Sequence, residues 1–159
     1  GFLAGGVGFS LVYLLNKNTK TMNLTPLLLA VVSFCFSMTV GVMWEFVEFS
    51  ADKLLQFDMQ KDTIIQQINS VELSKDGNTV YHVPDITRTI IESQNADGKT
   101  DKTIIQNGYL DVGIMDTMKD LFVNFIGAVV FSVFGYLYSR NDYQKFTFIK
   151  NFIPKKIKR

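Results

Sequence analysis

Charge-free apolar blocks alternate with polar stretches along the chain. Gly1 to Leu15, Leu24 to Trp44 and Leu121 to Tyr138 carry no acidic or basic side chain, whereas 51–119 holds most of the acids. A helix crossing roughly 30 Å of hydrocarbon needs about 20 apolar residues, because only an internally bonded backbone survives there. The second and third blocks meet that length. The first, GFLAGGVGFSLVYLL, stops at Asn16, and at about 1.5 Å per residue it reaches only roughly 22 Å. It reads as a span cut off at its start, and with no initiator Met the chain reads as part of a longer protein. A cleaved signal peptide is the competing reading, but the positive leading region and the small-residue cleavage site are absent.

The expected fold class is therefore membrane α-helical, with three transmembrane helices and a small β-rich insertion between the second and third. The first span covers 1–16, the second 24–50 and the third 116–139. Between the last two lies an extramembrane segment, 51–115, and a basic tail occupies 140–159. Thr25 is placed to cap the second span, with Pro26 at the first helical position, where its missing N–H costs nothing. The third span opens at Asp116 or Thr117. Small residues at Gly1, Gly5, Ala128, Ser132 and Gly135 have spacings that permit close helix contact.

Inside the insertion the period changes to two. In QINSVELS, Val71 and Leu73 alternate with polar neighbours, KDGN supplies a turn, and TVYHVPDITRTII resumes with β-branched residues. That is a hairpin pattern. A third short strand is expected at Lys102–Gln106, after ADGKTD. Three short strands enclose little core, so the domain is expected to rest on the membrane or to pack on another copy.

Charge sets the expected orientation. NKNTKTMN holds Lys17 and Lys20 without an acid, and beyond Ser139 the tail carries seven basic residues against Asp142 alone. Both are expected on the cytoplasmic side. From Ala51 to Met118 there are six basic and eleven acidic residues, a net of −5, which suits the extracytoplasmic side. The expected location is the cell membrane, multi-pass, with 51–115 outside and the C-terminus in the cytoplasm. Phe146, Phe148, Ile149, Phe152 and Ile153 mix with lysines in the tail, the makeup of a segment that lies on anionic lipids. The lipid bilayer is thus the first partner, and a second copy or another protein the next.

Composition adds exclusions. An apolar share of 47% and a mean hydropathy of +0.15 would suit a soluble domain; only their clustering into blocks points to a membrane. A net charge of +1 argues against nucleic acid as a partner. Cys35 is the single cysteine, so no intrachain disulfide exists.

Candidate chemistry lies in two acidic stripes. Glu45, Glu48 and Asp52 are three and then four apart and share one face of the second helix; Asp116, Asp120, Asn124 and Gly127 form a stripe on the third. Glu45 is roughly 28 Å along the second helix from Pro26, the depth at which Asp120 and Asn124 enter, so the stripes can meet. Carboxylates beside Trp44, Phe46, Val47 and Phe49 must bind a proton or find a cation. Asp52 also opposes the helix dipole. Lys53 and Lys119 are counter-ions within the chain; a divalent cation, which prefers oxygen ligands, is the external one, with Glu45, Glu48 and Asp120 as its candidate ligands. The plainer alternative makes Asp116 or Thr117 a helix cap, pairs Thr117 with Asp120 as in a capping box, and leaves Glu45 and Glu48 wetted at the interface. His82, on an expected strand without a neighbouring nucleophile, reads as a surface or packed residue, and Trp44 as an interfacial aromatic. There is no phosphate loop, serine elbow or histidine zinc motif.

WEFVEFSAD at Trp44–Asp52 and GYLDVGIMDTMKDLFVNFIGA at Gly108–Ala128 resemble the W-E-x-x-E and D-T-x-x-D-x-x-x-N-x-x-G-A signatures of the YjdF-like bacterial membrane proteins, and more distantly the VanZ-like family. The pattern matches at Glu45, Glu48, Asp116, Asp120, Asn124 and Gly127. It leaves 69–106 uncovered, as a lineage-specific insertion would be. The resemblance implies a small multi-span bacterial membrane protein; the Gln and Arg positions of VanZ-like proteins are missing here.

Three function classes follow. The leading one is a non-enzymatic scaffold or interaction module whose acidic cluster stabilises helix packing or binds a cation at the outer face. An enzyme acting on lipid-linked envelope substrates would use the same carboxylates with a metal or as acid and base. A cation-coupled transporter subunit would need polar residues continuing through the membrane, and the cytoplasmic halves of the second and third spans are nearly all apolar.

Overall fold

The computed structural model describes residues 1–18 and 24–140. The lipid contact expected of the tail falls on 141–159 and Lys20 on 19–23, both outside the described residues. The described chain forms two compact units, Gly1–Met59 with the segment from Thr117 onward, and Gln60–Asp116.

The first unit is helical. Helix α1 spans Phe2–Asn18, α2 Pro26–Leu55 and α3 Ile114–Arg140, the first turn of α3 being counted with the second unit. Helices α2 and α3 are long and apolar enough to cross a membrane; α1, at 17 residues, falls short of that length. Thr25 caps α2, its Oγ1 accepting from Leu28 N–H at 3.3 Å, with Pro26 at the start. At the other end Gln56 turns left-handed (φ 57°) and Phe57 N–H donates to Ala51 O. Asn16 Oδ1 accepts from Leu24 N–H at 2.7 Å, which ties the end of α1 to the approach to α2.

Glycines let the three helices come close. A Cβ on Gly135 would lie 2.8 Å from the ring of Phe9, one on Gly5 3.2 Å from Phe131, and one on Gly8 2.6 Å from Phe36. Helix α1 therefore runs parallel to α3 and antiparallel to α2. Two serines reinforce the α1–α2 pair: Ser33 Oγ donates to Gly5 O (2.8 Å) and Ser37 Oγ to Gly1 O (2.7 Å). Hydroxyls buried in an apolar bundle find backbone carbonyls because no water competes for them. The core beside these bonds is aromatic, with Phe9 stacked on Tyr13 and edge-on to Phe131 and Tyr138.

The second unit holds six short strands in three antiparallel pairs. Strand β1 (Ile64–Ile65) pairs with β6 (Tyr109–Leu110), β2 (Ile68–Ser70) with β3 (Tyr81–Val83), and β4 (Arg88–Gln94) with β5 (Thr100–Gln106). The expected strand through Val71 and Leu73 ends instead at Ser70. Asp76 gathers the chain into a loop over 71–80, accepting from Asn78 and Thr79 N–H and from the Ser74 and Thr79 hydroxyls. The strand expected at Lys102–Gln106 is present, but it pairs with β4 in a second hairpin. Asn95, Gly98 (φ 75°) and Lys99 close that hairpin with two backbone bonds, and Asn95 Oδ1 accepts from the N–H groups of Asp97 and Lys99. Gly108 (φ 152°) has no room for a side chain, since a Cβ would sit 2.4 Å from Ile65 O.

The start of α3 departs from expectation. The helix begins at Ile114 rather than at Asp116 or Thr117, and the cap is Asp111, whose carboxylate accepts from Gly113 and Met115 N–H. Asp111 Oδ1 also accepts from Thr63 N–H at 2.7 Å, while its own N–H donates to Thr63 O. One side chain thus fastens the entry of the insertion to its exit.

Candidate functional site

The two stripes meet only in part. Glu45, Glu48 and Asp120 bring carboxylate oxygens within 4.8 Å of one another, across α2 and α3. Glu45 is the most enclosed, 7% exposed with its Oε2 fully buried, Glu48 is half-buried and Asp120 exposed. Glu48 Oε1 accepts the indole N–H of Trp44 at 2.7 Å. Trp44 thus combines an exposed ring with a fixed polar tip, and this bond holds the Glu48 side chain one helical turn from its own backbone.

The other stripe members have structural tasks. Asp52 accepts from Met59 N–H at 2.6 Å and secures the turn after α2. Asp116 accepts from Lys61 N–H at 2.8 Å, within the inserted unit. Asn124 is buried where α1, α2 and α3 meet: Cβ atoms on Gly1 and on Gly41 would lie 2.2 and 2.3 Å from it. Its Nδ2 donates to Ser37 O at 3.4 Å and approaches Met38 Sδ at 3.5 Å. Gly127 is half-buried on the same helix. Lys53, offered as a counter-ion, lies over the ring of Phe49 at 5.9 Å. His82 is exposed and paired with Asn69 across β2–β3, Nδ1 to Oδ1 at 2.6 Å.

Glu45, Asp120 and Asn124 line a groove of about 580 Å³ whose remaining walls are mainly apolar, among them Ala4, Val40, Met43, Val47 and Val123. Its lining combines two carboxylates and the Asn124 amide with hydrocarbon. Carboxylates beside hydrocarbon are groups that a cation, or the polar end of an amphiphile, would meet there.

Sequence reasoning passed over Ser33, Ser37 and Asp111. For the serines a signal was present: Ser33, Ser37, Gly41 and Glu45 recur at intervals of four on one helix face.

Two apolar helices flanking a small β insertion, with a third helix packed beside them, define an α-helical integral membrane protein. The chain belongs to the family described as Predicted membrane protein (DUF2238), the YjdF-like family, whose model matches residues 1–141. That match runs through 69–106, the stretch left uncovered by the motif resemblance, and does not extend the likeness to VanZ-like proteins. No curated protein and no solved structure matches the chain.

Proposed function

We propose that this protein is a multi-pass membrane interaction module in which Glu45, Glu48 and Asp120 bind a divalent cation that joins α2 to α3. The observation that carries this reading is the convergence of three carboxylate oxygens within 4.8 Å from two helices. Like charges so close in apolar surroundings repel strongly, and a hard cation with oxygen ligands converts that repulsion into a cross-link. In this reading α1 serves as a third span, the acidic insertion faces the extracytoplasmic side, and the lysine-rich ends face the cytoplasm.

The test is thermal unfolding of the full chain in detergent, with and without millimolar calcium, magnesium or manganese. A ligand that binds only the folded state at about 100 times its Kd adds roughly 2.7 kcal/mol, a rise in midpoint of about 5 °C or more. The rise should vanish in Glu48→Gln and in Asp120→Asn. A midpoint indifferent to all three metals in the unsubstituted protein would remove the cation from the reading.

The groove favours a second reading, an enzyme acting on lipid-linked envelope substrates, because Glu45 and Asp120 line it beside apolar walls fit for an acyl chain. In that case Asp120→Asn would keep its thermal midpoint and lose turnover of such a substrate, whereas a cation clamp loses stability first.

A further inference from the structure

The β4–β5 hairpin is a two-stranded ribbon with no third strand on either edge among the described residues, and the β4 edge carries charges of both signs. Asn95 N–H donates to Lys99 O and Thr87 O accepts from Asn107 N–H, so the odd-numbered residues of β4 turn their backbone groups toward β5. The even-numbered residues Arg88, Ile90, Glu92 and Gln94 direct N–H and C=O to the opposite edge, where no strand pairs with them among the described residues. That edge is covered only as far as Ile86, whose N–H is taken by Gln66 O at 2.8 Å. An open edge is a template for another strand, and proteins usually blunt it with proline, a bulge or a covering element. RTIIESQ has no proline and no strand paired on this edge among the described residues; what the edge does carry is charge, Arg88 and Glu92.

The side chains on this ribbon define which strand fits. Arg88, Ile90 and Glu92 share one face, opposite Gln106, Ile104 and Lys102 of β5. Ile90 and Ile104 stand side by side and are 47% and 50% exposed. Glu92 and Lys102 form an ion pair at 2.7 Å. Arg88 and Glu92 lie symmetrically about Ile90. Two copies of β4 paired antiparallel about a twofold axis through Ile90 therefore place Arg88 of each opposite Glu92 of the other. The same register sets Ile90 against Ile90 and uses the outward N–H and C=O groups. Across the resulting four strands the isoleucines line up as Ile104, Ile90, Ile90, Ile104, bordered on each side by alternating Lys102, Glu92 and Arg88. The neighbouring registers are worse: centring on Ile91 sets Ile90 against Glu92, and centring on Glu92 sets like charges together.

We infer that this protein self-associates through its inserted unit, by antiparallel pairing of the β4 edges of two copies centred on Ile90. The interface is isologous and closes at two copies, each strand supplying both the cation and the anion of its charge pairs.

Cysteine cross-linking of the full chain in native membranes, in a Cys35→Ala background, reads the register directly. In a hydrogen-bonded antiparallel pair opposed Cα atoms are about 5.5 Å apart, within the range of about 4.4–6.8 Å that a disulfide spans. Ile90→Cys should give a disulfide-linked homodimer under mild oxidation. Arg88→Cys and Glu92→Cys should not, because each lies four residues, roughly 13 Å, from its own equivalent. Charge supplies the second arm. Added to Ile90→Cys, either Arg88→Glu or Glu92→Arg should reduce the cross-link roughly tenfold, since two charge pairs turn from attraction to repulsion. Co-expressing those two variants should restore it, now between unlike chains. No dimer at Ile90, equal cross-linking at all three positions, no restoration on co-expression, or an Ile90→Cys adduct to a different protein would each overturn the pairing.

Discussion

The helical unit and the inserted unit are held together by opposite means. In the bundle, backbones approach through glycines, the polar contacts are a few buried bonds such as Ser33 to Gly5 O, and the outward surface is hydrocarbon. The insertion has almost no enclosed core: its strands are two to seven residues long, most of its side chains are exposed, and carboxylates bonded to backbone N–H groups fix its shape. Steric fit governs the first and hydrogen bonding the second. Substitutions should therefore sort cleanly: added bulk should damage the bundle and removed acceptors the insertion.

The largest effect is expected from Gly135→Leu. The new Cβ alone would stand 2.8 Å from the ring of Phe9, which is completely buried among Tyr13, Phe131 and Tyr138 and has nowhere to move. Overpacking by a whole isobutyl group costs about 3 kcal/mol or more, only partly offset by the about 1 kcal/mol gained in replacing a helical glycine. Thermal unfolding in detergent should show a lowered midpoint, while hydrogen exchange in the β4–β5 hairpin stays as it was. Equal loss of protection in both units would mean that they unfold as one body.

The converse is Asp111→Ala. It removes the acceptor for Gly113, Met115 and Thr63 N–H together, a cost of about 1.5 kcal/mol from the lost cap and the strand bond. Exchange should rise at Thr63 and Met115 and leave the Phe9 cluster protected. Unchanged exchange at both positions would show that the carboxylate is dispensable to the base of the insertion. The double change Ser33→Ala with Ser37→Ala should do less, about 1 kcal/mol, since interhelical hydroxyl bonds in bundles are individually weak. A midpoint unmoved in that double variant would leave glycine packing alone as the α1–α2 adhesive.

The same division explains what could be read before the structure was known. The long helices were legible because absence of charge over some twenty residues is a strong signal, and Thr25–Pro26 is an unambiguous start. The β4–β5 hairpin was half legible: ADGKTD marked the turn, but the partner of Lys102–Gln106 depends on non-local pairing that no local pattern fixes. Val71 and Leu73 alternate like strand residues yet lie in a loop, because Asp76 satisfies the backbone there and leaves no role for a ladder. In the site, helical periodicity puts Glu45 and Glu48 on one stripe and Asp120 on another, and their carboxylate oxygens lie within 4.8 Å of one another. It could not tell them from Asp52 and Asp116, whose places in the same stripes are taken up by the N–H groups of Met59 and Lys61. Asp111 was hidden for a related reason, since its cap lies before the residue at which periodicity begins.

The smallest effect is also the most local. Asp76 accepts hydrogen bonds from the hydroxyls of Ser74 and Thr79 and from the backbone N–H groups of Thr79 and Asn78. These hold its carboxyl well below the usual carboxylate range, the Ser74 hydroxyl contributing most. A carboxylate whose pKa is depressed on folding adds stability that is present above its unfolded value, about 3.9, and that fades as the pH falls through and below it. Loop 71–80 should accordingly keep its exchange protection at Asn78 and Thr79 from neutral pH down to about pH 5 and lose it progressively below about pH 4. Asp76→Asn should lose that protection at neutral pH already, and with it the dependence on acid, because an amide cannot accept four such bonds. Asp76 is fully exposed, so the bundle midpoint should not follow this titration. Protection at Thr79 that stays constant across the acid range would show that the loop is held by its backbone turn at Gly77 and not by the carboxylate.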